Sequence, residues 1–266
     1  MLNVIRCGAL EYLTADNIAV PHGFSTRLGG VSRGHLASLN LGMKRGDDPE
    51  NVAQNYRILT DAIGCSPDNL VLTHQTHSDI ILPATRTDTI KYLGDRCWPE
   101  CDARITNEPG LALVVFTADC TPVLLHDPVT GAVGAIHAGW RGTAQNIVGK
   151  AIRAMADTYG CQPENICAAI GPNIAQCCFE TDADVPQAML ETYGNAVESH
   201  IRPASSKYYV NLKEINALAL QQAGVTNIRI SRLCTCCESD RFWSHRAHGS
   251  ARGSQAAIIV CKGVSP

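Results

Sequence analysis

Apolar and polar positions contrast most sharply between residues 111 and 143. Residues 111–116, Leu-Ala-Leu-Val-Val-Phe behind Pro109-Gly110, form a short apolar run that predicts a buried strand. Residues 131–136 form a second such run behind the turn signal Asp127-Pro128. Between and after them stand Thr117-Ala118-Asp119-Cys120-Thr121-Pro122 and His137-Ala138-Gly139-Trp140-Arg141-Gly142-Thr143. Cys120 and His137 thus each fall where a buried strand gives way to irregular backbone, the position from which rigid sheets present reactive side chains.

Elsewhere the pattern predicts alternating short elements. Residues 18–24 read as a strand entering the loop Ser25-Thr26-Arg27-Leu28-Gly29-Gly30-Val31-Ser32, whose glycines suit close approach of backbone to a ligand. Asp48-Pro49 opens a helix carried by residues 52–63 and stopped by Gly64. Residues 70–72 form a short strand before Thr73-His74-Gln75-Thr76-His77-Ser78-Asp79, in which the two histidines would project to opposite faces, so that one points into a site. The span 85–108 is polar and turn-rich, with residues 101–105 resembling an edge segment. Residues 144–159 have helical spacing up to Gly160; 182–193 and 212–223 are further helices, and 166–170, 227–231 and 256–260 further strands. Strands and helices do not alternate regularly enough for a Rossmann or barrel fold, and one α/β domain with mixed sheets is expected.

Composition narrows the class. The 266 residues are 45% hydrophobic and 18% charged, with a net charge of -3, enough apolar content for a sizeable core and no electrostatic footprint for nucleic acid. No apolar run approaches the roughly 20 residues of a membrane helix, and the N-terminus lacks the pattern of a signal peptide. Thirteen cysteines, an odd number spread over a long chain, predict reduced thiols in a cytosol. The local groups Cys97-x3-Cys101 and Cys234-x-Cys236-Cys237 lack the paired spacing of a structural zinc site, and neighbours such as Cys177-Cys178 point apart within a strand, so none is expected to bind metal.

GxGxxG, GxxxxGK[ST], GxSxG and the HxE…PCxxC signature of deaminases are all absent. What remains is a set of soft ligands at strand ends, His77, Cys120 and His137. Two imidazoles and a thiolate with an open fourth position suit catalytic Zn2+, and the same donors accept Cu2+. A metal-free Cys–His hydrolase, with Cys120 as nucleophile, His137 as base and Asp119 either orienting the histidine or capping the next turn, uses the same residues.

Several blocks resemble one family. Thr117-Ala118-Asp119-Cys120-x-Pro122-Val123-Leu124, Ala135-Ile136-His137-Ala138-Gly139-Trp140-Arg141-Gly142, Ile170-Gly171-Pro172-x-Ile174 and Gln75-x-His77 are similar to the YfiH-like, laccase-domain family. Ser25-Thr26-Arg27-x-Gly29-Gly30, Ser38-Leu39-Asn40-Leu41-Gly42 and Gly46-Asp47-Asp48 support the match, which runs in order from about residue 22 to 260. The resemblance implies that residues 1–266 form a single-domain, mixed-sheet α/β sandwich of the cytotoxic-necrotizing-factor-like type. It implies a metal site of His77, Cys120 and His137. It also implies phosphorolysis of adenosine, inosine and methylthioadenosine, with hydrolytic deamination of adenosine. The partners would be a nucleoside and phosphate, with no nucleic acid and no membrane. From residue type, Arg27, Arg57, Arg141 and Arg246, with Asn40 from its motif, are nominated to bind substrate or phosphate.

The chain departs from the family near its end. His245-Arg246-Ala247 stands where Tyr-Arg-Arg is usual, Arg252-Gly253-Ser254 where Thr-Gly-Arg is usual, and Phe179 replaces a tyrosine after Cys178. If the family arginine helps to bind phosphate or substrate, either Arg252 substitutes for it from two positions earlier or the activity is weakened. Copper-dependent polyphenol oxidation and a Cys-dependent hydrolase of peptidoglycan precursors are the alternative functions. Only nine histidines, scattered along the chain, are available to a multicopper enzyme.

Overall fold

The computed structural model describes residues 2–89 and 98–264, so Cys97 and part of the polar span 85–108 lie outside the described residues. Two six-stranded mixed sheets face each other. The first contains β1 (Leu2–Cys7), β2 (Leu10–Ala15), β3 (His22–Ser25), β4 (Leu70–Val71), β7 (Ala112–Thr117) and β15 (Gln255–Val260), in the order β1-β2-β3-β15-β7-β4. The second contains β5 (Ile81–Pro83), β6 (Ala103–Thr106), β8 (Thr121–His126), β9 (Val133–Ala138), β10 (Cys167–Ile170) and β14 (Asn227–Ile230), in the order β14-β10-β8-β9-β6-β5. A small antiparallel sheet, β11 (Glu180–Thr181), β12 (Ile201–Ala204) and β13 (Lys207–Val210), stands apart from both.

The central strands β7, β8, β9 and β15 are buried along almost their whole length because both faces of the sheets are covered there. In β7, Leu113 and Val115 pack between the sheets with Leu124, Val133 and Ala135, while Ala112 and Val114 face outward. Outside the first sheet, α1 (Pro49–Ile63) covers that outer face with Val52, Tyr56, Leu59 and Ile63. Outside the second sheet, α3 (Ile147–Tyr159), α4 (Asp184–Tyr193) and α5 (Leu212–Gln222) cover Ile105, Val123, Leu125 and Ile136. The result is a helix–sheet–sheet–helix sandwich, the mixed α/β architecture expected.

Capping fixes both ends of α1. The Asp48 side chain accepts the Glu50 N–H, Pro49 occupies the first turn, and Gly64 ends the helix at φ 85°. Three expectations require correction. The helix expected over 144–159 is two helices, α2 (Trp140–Ala144) and α3, because Asn146 sits at φ 56° and caps α3 through the Gly149 N–H. Residues 101–105 do not form an edge: β6 lies inside the second sheet, between β9 and β5. The strand expected from residue 18 begins only at His22. β1 is half-exposed, and its mixed burial pattern gives no clean period. Among the described residues no helix is long and apolar enough to cross a membrane.

Candidate functional site

The connection from β7 to β8 carries the chain from one sheet to the other in three residues, 118–120. Asp119 turns this corner at φ 90° and leaves Cys120 half-buried at its end. In the β8–β9 ladder Pro122 is opposite His137, which puts His137 beside the corner. In the β6–β9 ladder Ala103 is opposite Ile136, and the His137 N–H donates to the Asp102 carbonyl at 2.7 Å. His77 arrives from the loop after β4. Gln75 anchors that loop by pairing both ends of its amide with the Phe116 backbone, at 2.7 and 2.8 Å.

These pairings bring one ligand atom each of His77, Cys120 and His137 within 4.8 Å of one another. Cys120 Sγ lies 3.9 Å from His77 Nε2, and the two imidazoles meet edge to face with centroids 5.0 Å apart. Fully buried Asp102 organises the group. It lies 2.7 Å from His137 Nδ1, and its carboxylate also accepts the N–H groups of Thr76, His77 and Ser78 and the Ser78 hydroxyl. Four donors hold the loop so that His77, at φ 62°, faces the thiol. With Nδ1–H committed to Asp102, Nε2 is the His137 nitrogen left for a ligand, its lone pair freed when the ring gives up its second proton, and carboxylates orient metal-binding histidines in this way. Nothing larger than hydrogen fits at Gly139, where a Cβ would stand 2.8 Å from His77 Cδ2 and 3.4 Å from Cys120 Sγ.

Electrostatics follow from this packing. Burial raises the Cys120 thiol, but the His137 imidazolium and the His77 hydrogen bond outweigh it and pull the group down to about 6. Burial lowers His137, yet the Cys120 thiolate and Asp102 hold it up at about 9. Burial likewise raises Asp102, and the bond from His137 brings it down to about 2. The triad therefore carries a thiolate at neutral pH, as nucleophiles and metal ligands require.

The three residues line one wall of a cavity of about 220 Å3. Gln75, Trp98 and Phe116 give it flat apolar and amide surfaces, and Lys44, Arg45 and Arg252 give it positive charge. The guanidinium of Arg252 is lowered to about 10 by burial and by repulsion from Arg45, so two crowded cations face one space.

The nominated residues are spread more widely. Arg27 stacks on Trp243 at 3.9 Å and spends its N–H groups on the Ala37 and Ser239 carbonyls. The glycines of its loop are required by close backbone contact: a Cβ at Gly30 would stand 2.3 Å from the Ser38 carbonyl oxygen. Buried Asn40 is bound to Gly42, Asp47 and Ser254. Arg57 is exposed on α1 and Arg141 stacks on Trp140. Arg246 donates to the Cys178 and Glu180 carbonyls. None of these five lines the cavity, whereas Arg45 and Arg252 do. Asp119 does not orient His137; its carboxylate accepts the Thr235 hydroxyl and the Arg246 N–H, both at 2.6 Å, and Asp102 takes the orienting place. His74 lines the cavity as His77 does, so both histidines face it rather than one. No spacing rule links Asp102 to His137, 35 residues away; Arg45 follows closely on the Leu41-Gly42 motif and was within reach of sequence reading.

Fold and site define an α/β sandwich with one cysteine and two histidines gathered at a sheet-to-sheet corner. The family model described as multi-copper polyphenol oxidoreductase laccase matches residues 21–262, and the chain belongs to that family. It is similar to the purine nucleoside phosphorylase YlmD of Geobacillus stearothermophilus, 36% identical over 96% of this chain and 93% of the relative. It is also similar to a purine nucleoside phosphorylase of Deinococcus radiodurans, 37% identical over 94% and 92% of the two chains. The crystal structure of Geobacillus YlmD superposes with a TM-score of 0.91 at 34% identity, covering 97% of this chain and 98% of that one.

Proposed function

We propose that the chain, acting as one catalytic unit, is a zinc-dependent purine nucleoside phosphorylase. It splits adenosine, inosine and methylthioadenosine with phosphate into free base and ribose 1-phosphate (or its methylthio analogue), and deaminates adenosine as a second activity. The observation that carries this reading is the convergence of His77, Cys120 and His137 on a cavity that also holds Arg45 and Arg252. Similarity to enzymes named purine nucleoside phosphorylase supports it.

The donor set fits zinc: a thiolate and two imidazoles, one with its tautomer set by Asp102, grouped closely enough for a single tetrahedral ion with an open position. When bound, zinc supplies Lewis acidity and an acidified water at neutral pH. The remaining work falls to the chain. Arg45, Arg252 and Lys44 bind and neutralise phosphate, Arg252 serving in place of the family arginine lost at Ser254. Trp98 and Phe116 offer faces for the purine. A phosphate oxygen attacks C1′ of the ribose as the C1′–N9 bond breaks, and the bonding electron pair leaves with the base, which takes up a proton. Asp102 keeps His137 fixed throughout, and Asp119 holds the corner that presents Cys120. Reduced thiols in a cytosol keep Cys120 competent.

Adenosine is incubated with the purified protein with and without phosphate, and products are separated chromatographically. Adenine and ribose 1-phosphate should form only with phosphate; adenine formed equally fast without it would make the enzyme a nucleosidase and overturn the reading. Polyphenol oxidation receives no support from the ligands, because among the described residues the only other metal-sized group is all sulfur.

A further inference from the structure

Four cysteines whose sequence spacing argues against a metal site come together in the fold. Cys177, Cys178, Cys234 and Cys237 place their sulfurs within 4.8 Å of one another. Cys178 and Cys237 are 3.4 Å apart, Cys177 and Cys237 3.6 Å, Cys177 and Cys178 3.7 Å, and Cys177 and Cys234 3.9 Å. A tetrahedral ion with metal–sulfur bonds of about 2.3 Å separates its sulfurs by about 3.8 Å, whereas a disulfide would close a pair to about 2.0 Å. The turn at residues 176–178 lets the adjacent cysteines converge, which a strand would forbid. The other pair has C-x-x-C spacing, hidden in the sequence by Cys236 between them.

We propose that these four cysteines bind one zinc ion as a tetrathiolate, distinct from the His77–Cys120–His137 centre, and that this ion ties two loops to the active-site wall. The surroundings match the ligand. The Ala175 N–H donates to Cys234 Sγ at 3.3 Å, the kind of contact that stabilises a metal-bound thiolate. Buried Lys213, fixed by the Ser231 and Leu233 carbonyls, places its ammonium near Cys234 as countercharge to a tetrathiolate that keeps a net negative charge around a divalent ion. Binding releases the thiol protons to solvent.

The loops so joined are those that hold Asp119. Ile174 donates to its carbonyl, Thr235 to one carboxylate oxygen and Arg246 to the other, and the Arg246 guanidinium returns to the Cys178 carbonyl. Zinc at the four sulfurs would therefore hold the corner that presents Cys120.

The test loads the metal-stripped full chain with zinc, and separately with cobalt, and measures ions per chain and the thiolate-to-cobalt charge-transfer spectrum. The wild type should bind two ions, Cys178→Ser/Cys237→Ser one, and Cys120→Ser the one held by four sulfurs. X-ray absorption of zinc-loaded Cys120→Ser should show an all-sulfur shell, a readout that does not depend on the folding of the Cys178 variant. If only the reading of the His77–Cys120–His137 centre fails, the wild type binds one ion and Cys120→Ser still holds it in sulfur. A shell without sulfur in Cys120→Ser, no ion bound by that variant, or a disulfide among the four cysteines in protein handled under reductant would overturn the proposal.

Discussion

Asp102, the residue that leads into β6, and His137 in neighbouring β9 are joined at 2.7 Å, both buried. The same carboxylate accepts the backbone of residues 76–78, so one side chain sets the orientation of one proposed ligand and the position of another. Asp102→Asn keeps the volume but turns an amide toward those N–H groups. Zinc affinity of the Cys120 centre and the phosphorolysis rate should each fall roughly 10- to 100-fold. Unchanged zinc content and rate in this variant would show that Asp102 has no such role.

Cys120→Ser replaces the thiolate with a hydroxyl that stays protonated at neutral pH. The variant should lose the ion held with His77 and His137 together with its activity. Elemental analysis decides the matter, since full retention at that centre would remove Cys120 from the ligand set.

At Gly139 the backbone is ordinary, with φ -68°, so the constraint is space alone. Gly139→Ala pushes a methyl against His77 and Cys120 while the surrounding strands stay in place. Activity and metal affinity should drop by at least about tenfold with little change in melting temperature. A collapse in melting temperature would mark the glycine as structural instead.

Arg252→Ala removes one of two crowded cations in the cavity, whereas Arg57→Ala removes an exposed charge on α1. The first should raise the KM for phosphate roughly tenfold or more while changing the KM for nucleoside less; the second should leave both within about twofold. Equal effects of the two substitutions on phosphate KM would refute the assignment of the anion site.

The thiol and imidazole also define a pH window in the metal-free protein. Cys120 is depressed from 9.0 to about 6, so its contribution to stability is complete above the unfolded value and is lost as pH falls through about 6. His137 is raised from 6.5 to about 9, so its contribution is complete below 6.5 and is lost as pH rises through about 9. The ion pair therefore stabilises the stripped protein between about 6 and 9. Alkylation of Cys120, followed on its own peptide by mass spectrometry, should reach half its maximal rate near pH 6; a midpoint at the ordinary cysteine value would contradict the pairing.

Local chemistry made part of this molecule legible. Asp48-Pro49 and Gly64 bracket α1 because capping and left-handed closure act within a turn of the chain. The apolar runs of β7 and β9 announce burial because a strand covered on both faces has no polar side to show. Where an effect needed side-chain context, such reading stopped: Asn146 leaves the helical region to cap α3, and the continuous periodicity over 144–159 conceals that break.

Residue order was enough to specify the α/β class, the principal strands and a short set of candidate soft ligands, since burial periodicity and residue type are written locally. Packing in three dimensions settled the rest: Asp102 rather than Asp119 orients His137, Arg45 and Arg252 rather than Arg27 or Arg57 face the cavity, and Cys177, Cys178, Cys234 and Cys237 meet. Each grouping depends on which strands pair and in what register. Pairing between residues tens of positions apart is set by packing of the whole sandwich rather than by any short stretch of chain.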